Sequence, residues 1–129
     1  MTQRIFTAVA TMAAAAAIAC GGGSSSTAST PAPTPTPKTV SLTESEFKID
    51  PGTLSLKPGT YIFQLQNGGT FPHDLHIATS DGSEIAHSDL MAKAASTNFQ
   101  VDLKKGTYTM WCAVPGHRQR GMQGTITVA

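Results

Sequence analysis

The chain has 129 residues, with nine Lys and Arg against eight Asp and Glu and a formal net charge of +1. So even a balance leaves no electrostatic footprint for nucleic acid. No Ser-His-Asp or paired-carboxylate arrangement stands out either, and the length suits one modest core rather than two domains.

Residues 1–19 read as a signal peptide. A short positive region containing Arg4 precedes an apolar, alanine-rich run from Ile5 to Ala19, too short to span a bilayer securely. Ala17-Ile18-Ala19-Cys20 resembles a bacterial lipobox, which implies cleavage before Cys20 and lipidation of that residue. Residues 20–37 then form a linker, Gly- and Ser-rich and flexible at first, with alternating prolines that favour an extended polyproline conformation later. The expected location is the extracytoplasmic face of a bacterial membrane or the periplasm, through a lipid anchor.

Residues 38–129 carry the folded domain. Short apolar-alternating runs predict strands at residues 39–43, 53–57, 60–66, 73–79, 97–103, 107–112 and 125–128. Pro51-Gly52, Pro58-Gly59, Asn67-Gly68-Gly69, Asp81-Gly82 and Gly106 supply turns between many of them. The prediction is an all-β, Greek-key antiparallel β-sandwich of about seven to eight strands. Tyr61, Phe63 and Leu65 share the buried face of their strand. Ser88 to Ala95 has helical composition and is expected as a short surface helix.

Four metal-ligating side chains fall at telling positions. Cys112, His117 and Met122 lie in W111-C-A-V-P-G-H-R-Q-R-G-M122, and His73 lies in F71-P-H-D-L-H-I77. Strand parity puts Tyr108, Met110 and Cys112 on one face, so Cys112 ends its strand pointing inward. Pro115-Gly116 makes a turn that can return His117 toward the sulfur. One thiolate, two imidazoles and one thioether are the donor set of blue-copper electron-transfer sites. Cys112 also lacks an obvious disulfide partner, which suits a metal thiolate better than a stapled scaffold.

From Val40 to Ala129 the chain resembles the cupredoxins, the small blue (type 1) copper proteins. G106-T-Y-T-M-W-C112 and F71-P-H-D74 are similar to plastocyanin, while the longer Cys-to-Met loop with Pro-Gly-His inside it is more like rusticyanin. The resemblance implies one copper ion, with His73, Cys112 and His117 as equatorial ligands and Met122 on the axis. It also implies a one-electron carrier, not an enzyme, working between protein redox partners, with copper delivery or storage as the alternative. A monomer is expected. Four histidines in all cannot supply a trinuclear copper cluster. Departures from plastocyanin are Asp74 for Asn, Met110 for Phe and Trp111 for Tyr.

The resemblance places the backbone N–H of Asp74 as a donor to the thiolate, and the non-proline Val114 offers a second. Phe71, Pro72, Val114 and Pro115 would form an apolar docking patch around His117. Arg118, Arg120 and the Lys104-Lys105 pair suit an acidic partner. By parity His76 faces away from the copper, and His87 with Met91, four apart, makes a second copper site conceivable.

Overall fold

The computed structural model describes residues 35–129. The expected signal peptide, Cys20 and the expected linker as far as residue 34 lie outside the described residues.

Among the described residues nine strands form two sheets: β1 (Lys38–Ser45), β2 (Lys48–Asp50), β3 (Thr53–Leu56), β4 (Gly59–Asn67), β5 (His76–Thr79), β6 (Glu84–His87), β7 (Ser96–Leu103), β8 (Gly106–Trp111) and β9 (Gln123–Val128). The first sheet runs β2-β1-β4-β7 and the second β3-β9-β8-β5-β6. An all-β sandwich is what the alternation predicted, but the sheets are mixed. β1 pairs with β4 and β3 with β9 in parallel. Parallel neighbours need a crossover, and here the chain makes one by changing sheets between β2 and β3, at Pro51-Gly52. β2 and β6 were not anticipated, because one has three residues and the other is an exposed edge of four.

The alternation sets the core. Val40 and Leu42 of β1, with Tyr61, Phe63 and Leu65 of β4, face inward against Ile77, Met110 and Ile126 of the other sheet, all buried. Burying a side chain such as Phe63 contributes roughly 1.5–3 kcal/mol. Both inward rows turn polar at the same end: the parallel register pairs Val40 with Phe63, Leu42 with Leu65, then Glu44 with Asn67. The metal-ligating side chains gather near this polar end of the core.

The opposite end is closed by two matching corners, Lys57-Pro58-Gly59-Thr60-Tyr61 and Lys104-Lys105-Gly106-Thr107-Tyr108. In each, the tyrosine hydroxyl donates to the lysine carbonyl at 2.8 Å. The same hydroxyl accepts the lysine N–H, at 3.3 and 3.1 Å. Lys104 and Lys105 therefore lie before β8, at the end of that strand far from the cysteine.

Residues 88–95 are not helical. Their polar groups bond across the chain instead: Ser88 N–H to the Leu75 carbonyl at 2.8 Å, Ser88 Oγ to the Leu75 N–H at 2.9 Å, and Met91 to His73. Ala94 has φ of 61°, which no α-helix accommodates. The strand expected from His73 likewise starts only at His76. Thr70 and Phe71 give their N–H groups to Glu46 and His73 gives its own to Met91, leaving His73 in an isolated bridge with Met91.

Candidate metal centre

Cys112 follows the last residue of β8, buried with Tyr108 and Met110 on the inward face, as parity required. Its N–H donates to the Met122 carbonyl at 3.0 Å, joining the two ends of the loop between them. Within that loop the His117 N–H donates to the Val114 carbonyl at 3.0 Å, closing a turn over Pro115-Gly116. Gly116 has φ of 83°, in the left-handed region where a side chain is strained. A single 3-10 turn, Arg118–Arg120, follows, and the Met122 N–H donates back to the His117 carbonyl at 3.2 Å. His117 and Met122 are thereby both buried beside Cys112 along one short segment.

His73 comes from across the sandwich on a loop fixed by two side chains. The Asn67 amide donates to the Phe71 carbonyl at 2.8 Å and to the Met91 carbonyl at 3.1 Å, while its oxygen accepts the Gly69 N–H at 2.8 Å. Glu46 Oε1 accepts the N–H of Phe71 at 2.7 Å and that of Thr70. Those backbone donors, Phe71 first, hold the Glu46 carboxyl down to about 2. A Cβ on Gly69 would come within 2.6 Å of the same carboxylate, so any other residue there would displace the Glu46 side chain. The backbone of His73 then pairs with Met91 at 3.1 and 2.7 Å.

Three donor atoms converge. His73 Nδ1 lies 3.9 Å from Cys112 Sγ, His117 Nδ1 lies 3.6 Å from it, and the two nitrogens are 3.2 Å apart. The circle through a triangle with sides of 3.2, 3.6 and 3.9 Å has a radius of about 2.1 Å, against metal–donor distances of about 2.0–2.3 Å for protein zinc sites. A first-row metal ion therefore fits within the triangle as it stands. Met122 is fully buried, and its backbone is bonded to both Cys112 and His117.

The electrostatics agree with that fit. Burial, then the neighbouring His117, holds the His73 imidazole below the ordinary histidine range and keeps it neutral, as a ligand must be. Burial pushes the Cys112 thiol up to about 11, while the N–H groups of Asp74 and Val114 hydrogen-bond the sulfur and pull it down. A bound cation would complete what those two donors begin, since a coordinating thiol is deprotonated outright. Both expected sulfur donors are present. The Asp74 carboxylate is itself tied, accepting the Ala113 N–H through Oδ1 at 2.6 Å.

Around the triangle, Phe47 and Phe71 set ring edges against His117, with centroids at 5.2 and 6.4 Å. Phe71 is 55 % exposed. Arg118 lies over Trp111 and Arg120 over Phe47. His76 stays out of the buried set, as its parity required. His87 and Met91 do not come together: His87 is exposed on β6, and Met91 is buried and paired with His73. Glu46, Phe47 and the clamping role of Asn67 were not visible in the sequence, because nothing local links residues 46 and 47 to a loop some twenty-five positions later.

Comparison with known proteins agrees with this geometry. The family model for copper binding proteins, plastocyanin/azurin family, matches residues 38–129. Plastocyanin of Solanum tuberosum is 37 % identical over 86 residues, which cover 60 % of this chain and 84 % of that protein. Among solved structures, reduced auracyanin from Roseiflexus castenholzii superposes with a TM-score of 0.65 at 21 % identity, covering 71 % of this chain and 97 % of auracyanin. Rusticyanin from Thiobacillus ferrooxidans gives 0.59 at 24 % identity, covering 73 % and 79 %. These two show a shared fold. The chain belongs to the plastocyanin/azurin family of copper-binding proteins, blue-copper electron carriers rather than enzymes.

Proposed function

We propose that His73, Cys112 and His117 would hold one type 1 copper ion between them, with Met122 as a fourth, weaker ligand. The protein then carries single electrons between protein partners on the extracytoplasmic side of a membrane, tethered through a lipidated Cys20. The observation that carries the ligand assignment is the buried Nδ1, Nδ1, Sγ triangle, whose dimensions suit a metal before any side chain moves.

Copper supplies the one-electron couple. The residues of this chain hold the donors still and keep water out. His73 is bridged to Met91, and Cys112, His117 and Met122 are joined by backbone hydrogen bonds, so little rearrangement is needed when charge changes. The two N–H groups on the sulfur stabilise the more negative thiolate of the reduced state. His117 is the ligand nearest the surface, at 8 % exposure, while His73 and Cys112 are at 0 %. Phe71, Pro72 and Pro115 are exposed and Val114 half-buried, which gives a redox partner a small apolar surface for brief docking. Arg118 and Arg120 at its rim would steer an acidic partner, with an association rate that falls as salt rises.

Retention of the ion separates a carrier from a delivery protein. Copper-loaded protein is incubated with a chelator in each oxidation state and, separately, with an apo-acceptor. Slow loss in both states supports the carrier, and ready transfer to the acceptor contradicts it. Anchoring is read by mass spectrometry of the mature N-terminus and by fractionation: Cys20→Ala should release the protein from membranes, and an unchanged distribution would contradict the anchor.

A further inference from the structure

The outer face of the second sheet carries another cluster of metal-binding side chains. β6 is the edge strand of that sheet, and the register pairs His76 of β5 directly with His87. Their rings stack at 5.2 Å with 19° between planes. In an unbroken ladder Glu84, three residues before His87, would point to the opposite face. A register shift prevents this: Ile77 pairs with Ala86 but Ala78 pairs with Glu84, so Ile85 is the extra residue of a bulge. Bulges re-aim side chains in this way, and here one turns Glu84 onto the face of the two histidines.

The resulting geometry is tight. Glu84 Oε2 lies 2.8 Å from His76 Nδ1, and Oε1 lies 3.0 Å from His87 Nδ1. Ligand atoms of all three residues fall within 4.8 Å of one another. The His76 ring is held from its other sides as well. Trp111, its register partner on β8, stacks against it at 5.6 Å. Its Nε2 faces Asp74 Oδ2 at 3.6 Å, the placement of carboxylates that orient metal-bound histidines. The side chains of His76, Glu84 and His87 are 20, 41 and 62 % exposed, so a hydrated ion can reach them.

We propose that His76, Glu84 and His87 form a second metal site, open to solvent, for a divalent first-row transition ion such as zinc(II) or copper(II). Two imidazoles and one carboxylate suit these ions, whereas calcium or magnesium would demand more oxygen ligands. On binding, each Nδ1 lone pair turns to the ion and the ring proton resides on Nε2, facing Asp74 in His76 and solvent in His87. Water completes the coordination. None of the buried donors takes part, so both sites can be filled at once.

The test is a zinc(II) titration of the full-length, copper-loaded protein, followed by calorimetry and by the histidine ring resonances in NMR, with the visible band monitoring the buried copper. Wild type should take up one zinc ion per chain, shift the His76 and His87 resonances and keep its band. Loss of a partner behind a ligand costs about 10–100-fold in affinity, so removing a ligand itself in His87→Ala should weaken uptake at least about 10-fold. Glu84→Gln should weaken it in the same direction, and serves as a second variant that removes no ring from the stack. Absence of zinc uptake by wild type would overturn the proposal, and so would uptake unchanged in both variants.

Discussion

Asp74 is joined to Cys112 and to the residue that follows it. The Asp74 N–H hydrogen-bonds the Cys112 sulfur, and the Asp74 carboxylate accepts the N–H of Ala113, the next residue along the chain. The strand that ends in the thiolate and the loop that brings His73 are thereby locked at their meeting point. The same carboxylate places a negative charge close to the metal-binding triangle. Asp74→Asn keeps an oxygen for Ala113 and removes the charge, so the reduction potential should rise. Voltammetry of the copper-loaded variant checks this, and a fall would contradict it.

Val114 donates the second hydrogen bond to the sulfur. Val114→Pro deletes that donor, and the reduced state should lose more than the oxidised one. A hydrogen bond worth about 0.5–1.5 kcal/mol corresponds to a drop of roughly 20–65 mV for one electron. An unchanged potential in a variant that retains its visible spectrum would show that the bond carries no redox weight.

Parity made much of this legible. The alternation of Tyr61, Phe63 and Leu65, and of Tyr108, Met110 and Cys112, identified the inward rows, and the structure buries all six. The Pro115-Gly116 pair placed the turn that returns His117. Pairing between distant strands left no local trace, so the parallel neighbours β1 with β4 and β3 with β9 were missed. Residues 88–95 misled for a related reason: their composition favours helix, but Leu75 and His73 take the backbone groups a helix would need. Glu46 is the clearest gap, a hairpin residue whose carboxylate holds the His73 loop only because the fold brings it there.

Glu44 should make the stability depend on pH. Both of its carboxylate oxygens are buried with no hydrogen-bond partner among the described residues. Burial, with the charge of Asp74 nearby, raises its pKa from 4.5 to about 8. The folded protein therefore binds a proton that the unfolded chain releases between those values. Stability from this group is complete below about pH 4.5 and declines as pH rises to about 8, by up to about 1.4 kcal/mol per pH unit. Glu44→Gln should lose that slope and be more stable than wild type at pH 8, by on the order of a few kcal/mol. Urea unfolding of both proteins at several pH values checks it, and parallel stability curves would contradict it.

Met122 is buried, with its backbone bonded to Cys112 and His117. If its thioether is the weak axial donor, Met122→Gln should shift the potential and alter the spectrum while leaving the thiolate and both imidazoles in place. Complete loss of copper binding would mean that Met122 holds the ion more directly than an axial ligand does.

The Cys112 thiolate is the donor on which a blue copper centre depends most directly. Copper(II) is added to metal-free protein and the visible absorption recorded, alongside voltammetry of the product. An intense blue thiolate-to-copper charge-transfer band, a reversible one-electron wave and the loss of both in Cys112→Ala are predicted. A colourless wild-type protein, or a band that survives in Cys112→Ala, would contradict it.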